Sequence, residues 1–211
     1  MLKKITQLLN RKKDAEQKLS RWAFGTMFVS GALALLAAFT LTVEKFHLYE
    51  NPDAILSCSF NVVLNCSTVM QTWQASVFGF PNMVFGLIAF SVVATVSLIG
   101  FIGIKFPRWF LLVAQAGYLL GALFAYWLFF QSLYNIQALC PWCLVVTFTS
   151  TLIFASLLYY NLRNNIFNLS KKYDQKVQAF LNAGLFQLAI ASWFVIMIAL
   201  VFLKFGDSLF A

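Results

Sequence analysis

Five long apolar stretches divide this chain, separated by polar or basic connections. Residues 22–43, 83–104, 109–130, 141–160 and 185–203 each supply close to the roughly 20 apolar residues that a helix needs to cross the hydrocarbon core. The pattern predicts an all-α integral membrane protein with five transmembrane helices. Basic residues precede the first stretch, but its apolar run is too long for a signal-peptide core and no credible cleavage site follows. It therefore reads as a retained signal-anchor. After Cys66, the residues Val69, Met70, Trp73 and Val77 recur at helical spacing, with Gln71 and Gln74 between them. This predicts a short amphipathic helix in the first outer loop, capped by Ser67 and lying on the bundle as a lid, with both glutamines outward. Gly79-Phe80-Pro81 then turns the chain into the second span. Leu2, Ile5, Leu8 and Leu9 among lysines predict an amphipathic piece on the inner leaflet, and Gly117 with Gly121 predicts close helix packing in the third span.

Composition agrees with a membrane protein. Apolar residues make up 61% and charged residues 10%, against about 45–50% and about 25% in soluble domains. The net charge of +8 would suggest nucleic acid in a soluble chain, but here the basic residues sit between spans. No nucleic-acid-binding motif accompanies them, so none is expected as a partner. Of the 15 Lys and Arg, Lys45 and Lys204 alone fall on one side. The rest cluster before the first span, between the second and third, and between the fourth and fifth. The positive-inside rule then puts the N-terminus in the cytoplasm and the C-terminus outside. The expected organisation is a cytoplasmic basic N-terminus (1–21), a four-helix core (22–160) with an outer loop at 44–82, a cytoplasmic basic loop (161–184), and a fifth span with an outer C-terminus (185–211). Trp22, Trp109, Trp127, Tyr134, Trp142, Tyr159 and Tyr160 lie near span ends, as interfacial aromatics do.

By this topology all four cysteines fall on the outer, oxidising face. Cys140-Pro141-Trp142-Cys143 opens the fourth span. Pro141 suits the first helical position, and residues three apart share a helix face, so the two sulfurs can meet. The free N–H groups of the helix N-terminus favour a thiolate there. Cys58 and Cys66 enclose a polar connection, residues 59–65, which is either a tied loop or a second exchangeable pair. Beside an outward Cys-x-x-Cys, two pairs can pass electrons by thiol–disulfide exchange. A structural zinc site needs four ligands; the remaining candidate, His47, reads as an interfacial loop residue, and no metal is expected. Asn82 opens the second span as either a helix cap or a hydrogen-bond donor to a bound carbonyl.

The order Cys58-x7-Cys66-Ser67, then Gly79-Phe80-Pro81-Asn82, then Cys140-Pro141-Trp142-Cys143 resembles the vitamin K epoxide reductase family, above all its bacterial disulfide-forming members. The resemblance runs from about Trp22 to Tyr160. It implies a four-helix bundle around a quinone, with the fifth span as an addition. Cys140 and Cys143 would be the pair beside the quinone, and Cys58 and Cys66 the pair that takes electrons from a thioredoxin-like partner. Asn82, followed by Met83-Val84-Phe85-Gly86, matches the family's quinone-binding asparagine. Phe85, Val69, Met70 and Thr147 would add further quinone contacts. Thr147 stands where animal members carry a tyrosine, which favours ubiquinone or menaquinone in a bacterial inner membrane over vitamin K epoxide in the endoplasmic reticulum. Many bacterial relatives continue into a fused thioredoxin-like domain; the chain ends at Ala211, so the implied partner is a separate periplasmic protein of the disulfide-bond protein A type. The other quinone-linked family, that of disulfide-bond protein B, carries its cysteine pairs in the reverse order. A non-enzymatic membrane subunit with structural disulfides is the alternative from a different class.

Overall fold

A computed structural model describes residues 2–52, 56–61 and 63–209. Among the described residues there are seven α-helices: α1 (Leu2–Glu50), α2 (Cys66–Met70), α3 (Asn82–Ile102), α4 (Arg108–Gln131), α5 (Pro141–Arg163), α6 (Lys171–Asn182) and α7 (Leu185–Leu209). Five of them, α1, α3, α4, α5 and α7, contain segments long and apolar enough to cross a membrane. The fold is all-α, as the apolar pattern predicts. Asp53 lies outside the described residues, and so do the side chains of Leu2, Ile5, Leu8 and Leu9 on the N-terminal turns of α1.

Helix ends follow the local chemistry. Pro81, Pro107 and Pro141 stand at the starts of α3, α4 and α5, where a missing N–H leaves no intrahelical bond unmade. Gly103 ends α3 at φ 105°, a left-handed conformation that suits glycine, and its N–H donates to the Gly100 carbonyl.

The first helix is the hub, packing along α3 and α5, while α4 packs along α5 and no such extended packing joins α3 to α4. Small residues make the α1–α3 seam possible. A Cβ on Gly100 would lie 2.5 Å from the Phe24 ring, and one on Gly31 would lie 3.1 Å from Val93. Gly117 and Gly121, expected to pack against a neighbour, instead face open space, with nothing within 4 Å of an added Cβ. The close-packing glycines are therefore on α1 and α3, and those on α4 border the gap.

The lid also departs from its expected form. Asn65, not Ser67, caps α2, its Oδ1 accepting from the Thr68 N–H. The helix stops at Met70, and a separate 3-10 turn covers Trp73–Ser76. That break resets the helical phase, so Gln74 turns inward (7% exposed) while Trp73 turns outward (67% exposed) beside Trp127. His47 lies on the last turn of α1 rather than in a loop. The basic connection after α5 contains α6, moored by Arg163, which donates to Asn182 Oδ1 (2.6 Å), Gln178 Oε1 and the Tyr159 hydroxyl.

Candidate functional site

Two irregular segments bring the cysteine pairs together. In the loop before α2, Asn61 Oδ1 accepts from the Val63 and Leu64 N–H groups and so holds the backbone of those two residues in place. This backbone then pairs with the segment leading into α5. Leu139 N–H donates to the Val63 carbonyl (2.7 Å) and Asn65 N–H to the Leu139 carbonyl (2.9 Å), a parallel bridge between Leu64 and Leu139. Cys66 and Cys140 emerge side by side from this bridge, their sulfurs 3.4 Å apart.

Cys66 is disulfide-bonded to Cys58, with Cα atoms 5.7 Å apart, and Cys140 and Cys143 are free. Cys58, Cys66 and Cys140 sit in one apolar cluster with Leu41, Leu48, Val69 and Met70, and Cys66 is wholly buried. Cys140 caps α5, its sulfur accepting from the Cys143 N–H. Hydrogen bonding from the Cys143 thiol, together with the Cys143 and Trp142 amides, pulls the Cys140 pKa below its ordinary value against the opposing effect of burial. The helix N-terminus thus serves Cys140 rather than Cys143, which lies deeper.

The extension of α1 above its apolar stretch holds both ends of the loop. Glu44 Oε1 accepts from the Ser57 hydroxyl and N–H beside Cys58. Lys45 Nζ donates to the Met70 carbonyl at the end of α2 (2.8 Å).

Below the lid lies an apolar cavity of about 660 Å³, and Cys140, Cys143, Asn82, Phe85, Val69, Met70 and Thr147 all line it. The structure brings every one of these sequence-derived residues to a single space. The cavity also reaches Gly117 on α4 and Ile153 on α5. From Cys143 to Ile153 that is about 15 Å of helix at 1.5 Å per residue.

Asn82 does not cap α3. Pro81 is the cap of α3, and the Asn82 amide reaches back to the lid. Its Nδ2 donates to the Gln74 carbonyl (2.7 Å), and its Oδ1 accepts from the Val77 N–H. One of the two Nδ2 hydrogens is thereby used, and the second has no partner among the described residues. The Thr147 hydroxyl donates to the Cys143 carbonyl within α5 (2.9 Å). Sequence reasoning missed Gln74, which lines the cavity and donates from Nε2 to Gln131 Oε1, itself bonded to Asn135. The one available signal was Gln131 near the end of an apolar stretch. It also missed the Leu64–Leu139 bridge, for which two ordinary leucines give no signal.

Among the described residues no three His, Cys, Asp or Glu side chains converge as a metal site. The family model described as the vitamin K epoxide reductase family matches residues 26–158, most of the chain. No curated protein matches it.

Proposed function

The chain belongs to the vitamin K epoxide reductase family, a family of membrane thiol oxidoreductases, and we propose that it oxidises a thioredoxin-like protein at the expense of a membrane quinone. The observation that carries this reading is the 3.4 Å approach of Cys66 to Cys140, with an exchangeable disulfide on one side and an apolar cavity on the other. A loop-tying disulfide has no need of a second cysteine in contact with it.

In this reading a partner thiolate attacks the Cys58–Cys66 disulfide at Cys58, and Cys66 leaves as a thiolate. Cys58 is buried in the oxidised form (3% exposed), so the loop held by Glu44 and Ser57 lifts to admit the partner. The partner's second thiol then releases Cys58. Cys66 attacks Cys140, breaking the Cys140–Cys143 disulfide and expelling Cys143 as a thiolate. Cys58 attacks Cys66, restoring the first disulfide and freeing Cys140. Two electrons have then moved from the partner to the second pair.

The residues present fit a quinone. The cavity is apolar, carries two thiols and one spare amide hydrogen, and borders the gap between α3 and α4, through which an isoprenoid tail would reach lipid. A bound quinone supplies an acceptor for two electrons and two protons. Cys143 and Cys140 would give up those electrons and close their disulfide, Asn82 would donate its spare amide hydrogen to a quinone carbonyl, and Val69, Met70, Phe85 and Thr147 would supply the remaining contacts. The partner in this reading is a thioredoxin-like protein of the disulfide-bond protein A type. The setting is a bacterial inner membrane, with the N-terminus cytoplasmic and the C-terminus periplasmic.

Anaerobic turnover tests the proposal. Reduced thioredoxin-like protein and a short-chain quinone, with the purified protein in detergent, should lose one quinone per two thiols, and Cys140→Ser should abolish the loss. Thiols that stay reduced, or turnover that persists in Cys140→Ser, would refute it.

A further inference from the structure

We propose that α7, which lies beyond the matched residues 26–158, is a positioning element for electron relay: Met197 and Phe205 brace the Leu64–Leu139 bridge that holds Cys66 against Cys140. The inference rests on reading the two cysteine pairs as a relay.

Most of α7 is exposed to its surroundings, as Leu188, Val195 and Leu203 show. What it buries is confined to one place. Within residues 185–206, Met197 (2% exposed) and Phe205 (6% exposed) are the buried side chains. Both join a single cluster with Val63, Phe129, Leu133 and Leu139, against which Phe194 and Val201 also pack. Residues 194, 197, 201 and 205 share one helical face. That face packs in the same cluster as the two residues joined by the Leu139 N–H to Val63 carbonyl bond. Cys140 follows Leu139 directly, and Cys66 stands three residues after Val63.

A second contact fixes the height and rotation of the helix. Trp193 Nε1 donates to the Tyr126 hydroxyl (2.9 Å), which is itself bonded to Thr151 on α5. With α7 pinned to α4 and α5 lower down, Met197 and Phe205 meet the bridge in a set register.

The relay step is sensitive to that register. The Cys66–Cys140 bond forms as the Cys140–Cys143 bond breaks, and the electron pair leaves on Cys143. Such an attack needs reacting atoms about 3–3.5 Å apart, and a displacement of about 1 Å lowers a rate by roughly a hundredfold. A void at Met197 lets Leu139 and Val63 shift, and that shift is transmitted to both sulfurs. Reduction of quinone by Cys140 and Cys143 does not need Cys66 within reach, so it tolerates a small shift of the bridge better than exchange does, although Leu139 also lines the cavity.

The two steps can be timed separately by acid quench, thiol alkylation and mass spectrometry. Exchange is followed after mixing protein with reduced thioredoxin-like partner in the absence of quinone. Quinone reduction is followed from protein whose Cys140 and Cys143 are already reduced. Met197→Ala and Phe205→Ala should slow exchange about tenfold or more, while the rate of quinone reduction falls by no more than about twofold. Met197→Leu should restore most of the exchange rate, and Leu203→Ala, on the exposed face, should leave it unchanged. Wild-type exchange in Met197→Ala and Phe205→Ala would overturn the inference, and so would a parallel fall in both steps, which would mark general loosening. Absence of exchange in the wild-type protein would instead refute the relay on which the inference stands.

Discussion

Replacing Asn82 by Asp changes a single atom of the side chain and should separate the two halves of the reaction. The Nδ2 that donates to the Gln74 carbonyl at 2.7 Å becomes a carboxylate oxygen, so two acceptors face each other across the lid junction. The lost hydrogen bond is worth about 1 kcal/mol, and the stranded acceptor costs about 1–3 kcal/mol more. Lid closure should weaken by about 2–4 kcal/mol, or roughly 30- to 1,000-fold at about 1.4 kcal/mol per tenfold. Loss of a donor to the developing charge on a quinone carbonyl is of similar size, about 100–1,000-fold by analogy with oxyanion donors. Quinone reduction from the pre-reduced protein, followed by absorbance at neutral pH, should therefore fall by at least about 30-fold. Partner adducts and exchange between cysteine pairs should persist, because neither step consumes quinone. The pH dependence carries the sign of the effect. A neighbouring acceptor and partial burial favour the neutral acid, raising the carboxyl pKa. Protonation restores a donor, so the ratio of variant to wild-type rate should rise as pH falls through that pKa. Wild-type quinone reduction in Asn82→Asp at neutral pH, at normal protein levels, would refute the reasoning.

Three further outcomes follow from other parts of the molecule. Gly100→Ala puts a Cβ 2.5 Å from the Phe24 ring and should cost about 1–3 kcal/mol, read as a lowered thermal midpoint in detergent that Phe24→Leu partly restores. Gly121→Leu, with nothing within 4 Å of its Cβ, should leave the midpoint near that of the wild type while raising the KM for quinone, because the added side chain enters the cavity. Cys66→Ala should strand a mixed disulfide between Cys58 and the partner, visible as a reductant-sensitive band on non-reducing gels; finding the adduct in Cys58→Ala instead would reverse the two roles.

The membrane spans were legible because each depends on one local quantity, a run of apolar residues as long as the bilayer is thick. The cysteine motifs were legible because Cys140 and Cys143 are close in sequence and Pro141 marks a helix start. The lid was half legible. Val69 and Met70 are buried as their spacing implies, but the break after Met70 rests on tertiary contacts, the Lys45 bond to the Met70 carbonyl and the grip of Asn82 on Gln74. Periodicity carried across that break puts Gln74 on the wrong side. Gly117 and Gly121 misled for a related reason. A small-xxx-small pair permits close approach, but whether a helix arrives is decided by the rest of the bundle, and α3 is held against α1 instead. The Leu64–Leu139 bridge was illegible, since its bonds join the backbone of Leu139 to that of Val63 and Asn65, far away in the chain, and leave no mark on side-chain identity.

The central claim is that electrons cross from one cysteine pair to the other through Cys66 and Cys140. In Cys58→Ala/Cys143→Ala those two cysteines remain, their sulfurs 3.4 Å apart in the parent fold, with no other thiol to resolve a bond between them. Peptide mapping by mass spectrometry after mild oxidation should find the intramolecular Cys66–Cys140 disulfide as the dominant form. Two free thiols under the same conditions, or disulfides formed only between molecules, would contradict the relay.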